Sequence, residues 1–165
     1  MRCDWAVKRH FRLSAQSSEI RCLTFNTFIG MWYECTFAHT GIDERTGAEK
    51  TLKDKTLVMA DDLLSAYNAL NDQEGGLDGF EPLSVVRRGI AERFGDTGER
   101  FYNAKVALTI VDEKGREKRQ AVQYVVQADD LDAAKRVLEE GMRGTLSDWE
   151  AVSLSESAVT DIIIA

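Results

Sequence analysis

Two adjacent aspartate pairs, Asp61-Asp62 and Asp129-Asp130, are the side chains of this 165-residue sequence most open to a chemical reading. Four carboxylates brought together would offer the oxygen ligands that magnesium or calcium takes. The same residues stand where helices should begin, with Asp61 and Asp129 as the expected N-caps, and capping accounts for them without a metal. His39 falls on the inward side of an alternating strand. A core or edge histidine is the simpler reading there, because no serine or cysteine nucleophile with a partner acid lies near it in sequence. Cys35 falls on the same face and reads as a small buried hydrophobe rather than a reactive thiol. Glu34, Glu81 and Glu150 are candidate paired acids, but nothing in the sequence fixes their separation. The sequence holds no phosphate-binding loop, dinucleotide fingerprint, nucleophile elbow or zinc-protease helix motif. The expectation is therefore a protein that is not an enzyme, with no catalytic, cofactor-binding or metal-binding residue.

Two basic clusters remain. Arg45, Lys50, Lys53 and Lys55 gather around one hairpin, and Lys114, Arg116, Lys118 and Arg119 around another. Acids interspersed among them (Asp43, Glu44, Glu49 and Asp54; Asp112, Glu113 and Glu117) leave both arms close to neutral. Solvated tips of mixed charge are the first reading. The second is a pair of two-stranded ribbons that reach phosphates, with Trp32 and Phe101 pointing outward at equivalent positions to stack on unpaired bases. That candidate nucleic-acid-binding set comprises Trp32, Lys50, Lys53, Lys55, Phe101, Lys114, Arg116, Lys118 and Arg119. A net charge of −7 and a pI near 4.9 weigh against binding duplex DNA through the overall field.

Hydrophobic residues make up 44% and charged residues 30% of the chain, enough apolar content for one globular domain or two very small ones. No apolar run reaches the ~18 residues of a membrane span. Three cysteines (Cys3, Cys22 and Cys35) form neither a metal spacing nor an even disulfide set, which points to a reducing, cytoplasmic compartment. Residues 1–30 stand apart. They carry Arg2, Lys8, Arg9, Arg12 and Arg21 against only Asp4 and Glu19, follow neither helical nor strand period, and lack the apolar core of a signal peptide. They are expected to be a basic disordered arm or a mis-assigned extension upstream of a start at Met31.

From Trp32 onward the sequence repeats itself. Trp32-Tyr33 matches Phe101-Tyr102, Gly47-x-Glu49-Lys50 matches Gly115-x-Glu117-Lys118, Ala60-Asp61-Asp62-Leu63 matches Ala128-Asp129-Asp130-Leu131, and Leu83-Ser84-Val85 aligns with Val152-Ser153-Leu154. Each copy reads as strand, turn, strand, helix, strand. Tyr102, Ala104, Val106, Leu108 and Ile110 alternate cleanly, as do Tyr33, Cys35, Phe37 and His39. Leu63, Ala66, Tyr67 and Leu70 keep helical spacing, as do Leu131, Ala134, Val137 and Leu138, with Gly141 expected just past the second helix. The β-prone stretches Gly89–Phe94 and Val159–Ile164 are expected to close their own copies. The fold class is α+β: a tandem duplication, residues 31–94 and 99–165, of antiparallel sheets each covered by one helix and related by a pseudo-twofold axis. The two repeats should form one compact domain.

Several ordered motifs then carry a family likeness: Met31-Trp-Tyr-Glu-Cys35, Phe101-Tyr-Asn-Ala-Lys-Val106, Asp112-Glu-Lys-Gly115, Val126-Gln-Ala-Asp-Asp-Leu131, Leu138-Glu-Glu-Gly-Met-Arg-Gly-Thr145 and Val152-Ser-Leu-Ser-Glu156. Over Met31–Ile163 the sequence resembles an uncharacterised family of bacterial and phage proteins, the domain of unknown function DUF4494. The resemblance implies a cytoplasmic protein of bacterial genomes and their phages, and brings no catalytic residues with it. The leading expectation is a non-enzymatic binding or accessory module of a phage or mobile-element process such as DNA replication, acting on a protein partner. The alternatives are a single-stranded nucleic-acid-binding module that uses the hairpin arms, and an acidic nucleic-acid mimic that blocks a DNA-binding enzyme. No cofactor and no membrane are implied.

Overall fold

A computed structural model describes residues 30–165 of the chain; the reading of residues 1–30 as an arm or extension lies, Gly30 apart, outside them. The elements are β1 (Met31–Ile42), β2 (Glu49–Ala60), α1 (Leu63–Glu74), β3 (Glu81–Arg88), β4 (Ile90–Phe94), β5 (Arg100–Val111), β6 (Glu117–Ala128), α2 (Leu131–Met142), β7 (Trp149–Glu156) and β8 (Asp161–Ile164). They form an α+β fold of two four-stranded sheets, ordered β3-β1-β2-β8 and β4-β6-β5-β7, with α1 packed on the first and α2 on the second.

The period-2 pattern of β1 aims Tyr33, Cys35 and Phe37 at α1, where they meet Ala66 and Leu70. In β5 the same pattern aims Tyr102, Ala104 and Val106 at Ala134 and Leu138 of α2. The helices are capped one residue later than the sequence suggests. Asp62 Oδ1 accepts the Ser65 N–H at 2.7 Å and Asp130 Oδ1 accepts the Ala133 N–H at 2.7 Å, because the extended residue directly before each first helical leucine is the one that can turn back. Asp129 instead accepts the Glu99 N–H at 3.2 Å and ties down the chain between the halves. Gly98, at φ 121°, lies so close to the β6 backbone that a Cβ would come within 2.5 Å of Ala128. Gly141 also differs from expectation. The second helix runs on to Met142, and the bare Cα of Gly141 admits the Phe94 ring, which would lie 2.6 Å from an added Cβ.

The two short closing strands correct the topology more deeply. β4 does not complete the first sheet but hydrogen-bonds in parallel to β6 of the second, and β8 pairs in parallel with β2 of the first. Each sheet is therefore mixed rather than antiparallel throughout, and each half finishes the other. β4 brings Phe94 to stack on Tyr124, ring centroids 5.0 Å apart, while β8 brings Ile163 into the core beneath α1. The antiparallel registers of the two halves correspond. Thr36 faces Ser84 and Lys105 faces Ser153, and a β-bulge follows directly after Thr36 and after Lys105.

A third apolar cluster lies between the sheets. Trp32 and Leu57 from the first meet Phe101 and Val125 from the second, with Val159 from the segment joining β7 to β8. The layers thus run helix, sheet, sheet, helix. The polypeptide passes from one sheet to the other at Gly89 and returns across residues 157–160.

Candidate functional site

The inter-sheet layer settles where the proposed stacking residues lie. Trp32 is 6% and Phe101 5% exposed, both enclosed between the sheets. The expectation that they point to solvent is corrected: the face of β1 and β5 opposite the helix is covered by the other sheet. Of the basic residues, Lys50, Lys53, Lys114 and Lys118 are exposed on the hairpins. Arg116 pairs with Asp112 at 2.8 Å, Arg119 with Glu150, and Lys55 with Glu34 at 3.1 Å.

The hairpins extend well past the sheets. β1 has β3 beside it only as far as Ala38, and β2 has β8 beside it only from Thr56. Over 41–50, and likewise over 110–118, the chain is a two-stranded ribbon. Ile42 is 70% exposed and Val111 66%, one on each ribbon and in corresponding register.

His39 and Cys35 occupy the inward face of β1. His39 Nε2 lies 2.7 Å from Asp54 Oδ2, and this hydrogen bond raises the imidazole pKa above its ordinary value. Glu74 at the end of α1 is also raised, chiefly by burial and then by the negative charges of Asp161 and Asp54. Cys35 is fully buried, and burial pushes its thiol pKa up to about 11. Both upward shifts at His39 and Glu74 favour the protonated groups in the fold. Their contribution is greatest at low pH and falls as pH rises, above the ordinary value of 4.5 for Glu74 and through the raised value of His39 above 6.5. Wild-type stability against urea should therefore drop between about pH 6 and pH 8, and His39→Leu should flatten that drop. Equal slopes in the two proteins would show the imidazole uncoupled from folding.

A cleft of about 310 Å³ opens beside the inter-sheet cluster. On the first sheet its wall is Glu34 with Arg88. Arg88 donates from Nε to Glu34 Oε2 at 3.2 Å and from Nη2 to Oε1 at 3.0 Å, and Lys55 Nζ donates to Oε1 at 3.1 Å. The Arg88 bonds, with that from Lys55, hold the Glu34 carboxyl below its ordinary value against partial burial. A carboxylate so engaged is a poor proton acceptor, and the trio carries a net positive charge. The facing wall, on the second sheet, presents Asn103, Lys105, Gln123, Ser153 and Ser155. Leu57, Ile90 and Val159 line its apolar part.

Sequence reasoning missed this cleft. Glu34, Lys55 and Arg88 come from three strands, and their convergence follows from cross-strand register rather than from spacing along the chain. Asp62 and Asp130 cap their helices and Asp129 accepts the Glu99 N–H, and among the described residues no cluster of three or more histidine, cysteine or acidic side chains could hold a metal. Among the same residues no helix is long and apolar enough to cross a membrane.

The fold and cleft define an α+β protein of two helix-backed sheets joined by exchanged strands. Residues 77–165, just over half of the chain, match the family described as Domain of unknown function (DUF4494), and the chain belongs to that family. No curated protein matches it.

Proposed function

We propose that the chain is a non-enzymatic binding or accessory module that engages a protein partner through its two ribbons. The observation that carries this reading is the pair of exposed aliphatic residues, Ile42 and Val111, at corresponding positions on arms that extend beyond the sheets. Exposed apolar side chains rimmed by mixed charge are what a protein contact uses. Cys35 is shielded with its thiol held protonated, the Glu34 carboxylate is engaged by two cations, and His39 is engaged by Asp54, which supports a binding role over a catalytic one. Stacking on unpaired bases loses its support with Trp32 and Phe101 enclosed. The family likeness to bacterial and phage proteins extends the reading to a cytoplasmic accessory role in a phage or mobile-element process.

The test is comparative capture from bacterial lysate, before and after phage infection, with wild type and Ile42→Asp/Val111→Asp as baits. A stoichiometric protein retained by the wild type should be lost by the double variant, whose melting temperature should be unchanged because both sites are solvated. Equal retention by both baits, or no stoichiometric protein with either, would overturn the ribbon contact.

A further inference from the structure

The polar wall of the cleft is an ordered array. On the inner face of the second sheet, Ser153, Lys105 and Gln123 are direct cross-strand neighbours, and Ser155 and Asn103 form the row beside them. Cross-strand neighbours stand about 5 Å apart, so five donor groups cover a patch the size of one small molecule. Lys105 makes no ion pair among the described residues. The first sheet carries Thr36 opposite Ser84 where the second has Lys105 opposite Ser153, so Lys105 has no counterpart at the matching position of the first sheet.

We propose that this cleft binds a phosphate monoester on a compact polar body, of the sugar-phosphate or nucleoside-monophosphate type, with Lys105 as the principal cationic contact. Charge sets the sign of the ligand. Glu34 is offset by Arg88 and Lys55, and Lys105 adds a further positive charge, so the cleft attracts anions although the whole chain is at −7. Arrangement favours phosphate over carboxylate. Lys105 stands on one wall and Arg88 on the other, and Arg88 uses Nε and Nη2 on Glu34 while Nη1 takes no part in that pair. A tetrahedral group with three terminal oxygens can be reached from two walls at once, whereas the two oxygens of a carboxylate lie in one plane.

The body follows from the remaining lining. Asn103 and Gln123 each donate and accept, and the hydroxyls of Ser153 and Ser155 do likewise, which suits a ribose or a base edge. Leu57, Ile90 and Val159 give that body an apolar surface to lie on. A volume near 310 Å³ is at the small end of ligand pockets and matches a compact metabolite.

The experiment is a nitrogen-15 NMR titration at low ionic strength with ribose 5-phosphate, adenosine 5′-monophosphate and uncharged adenosine. Saturable shifts at Asn103, Lys105 and Gln123 are expected with at least one ester, weaker as salt is added, and absent with adenosine. Whichever ester binds more tightly identifies the body. Lys105→Ala should weaken that ester about tenfold or more while Lys105→Arg retains it, as loss of a charged hydrogen bond requires. Lys105 is solvated, so both variants should keep the wild-type spectrum away from the cleft. Ile42→Asp/Val111→Asp should bind the ester unchanged, which separates this site from the ribbon contact. No saturable shift with either ester, or equal affinity in wild type and Lys105→Ala, would overturn the proposal.

Discussion

Ile163→Asp, a change in the second half of the sequence, should unfold the first half of the protein. Ile163 lies opposite Val58 on the β8–β2 ladder and packs with Tyr33, Ala66 and Leu70 beneath α1. An aspartate there loses the aliphatic contacts and leaves a carboxylate without a partner in an apolar core, a cost of about 4 kcal/mol or more. Hydrogen exchange locates the damage. Protection should fall first in β2 and α1, which are a hundred residues away in sequence, and only afterwards in α2. Ile163→Val, which removes one methylene, should cost roughly 1 kcal/mol with the same pattern. A loss of protection confined to β7 and α2 would mean that β8 does not belong to the first sheet.

Trp32→Ala carries the second large effect. A tryptophan that waits on the surface for a base can be removed with little change in stability. Enclosed between the sheets with Leu57, Phe101 and Val125, Trp32 instead holds the two layers together. Its truncation should cost about 3–5 kcal/mol and lower the melting temperature by roughly 10 °C. Phe101→Ala should behave alike, and the double variant should cost less than the sum because the two side chains share one cluster. Urea denaturation of the three proteins checks this, and a Trp32→Ala midpoint equal to that of the wild type would remove the inter-sheet core.

Most of the secondary structure was legible because the alternation of β1 and β5 and the helical spacing of Leu63–Leu70 and Leu131–Leu138 are local signals. The strands β2 and β6 extend further than their apolar runs, since main-chain pairing along a hairpin continues through Lys50, Lys53, Lys118 and Arg119 whatever their side chains prefer. The partners of β4 and β8 were not legible. A short apolar strand next to its own half is normally paired within it, and nothing in Ile90–Phe94 or Asp161–Ile164 names a different sheet. One error followed from another. Without the exchange, the Trp32 and Phe101 face has no cover and reads as surface. The cleft was hidden for the same reason, because Arg88 and Ile90 meet Lys105 only where the chain changes sheets.

The reciprocal placement of β4 and β8 also orders events during synthesis. While a ribosome is still making α2, the β2 edge of the first sheet has no neighbour, and it gains one only when Asp161–Ile164 has emerged from the exit tunnel. The nascent chain therefore carries an open strand edge until β8 has emerged, and any holdase that shields such edges would find its substrate in that interval.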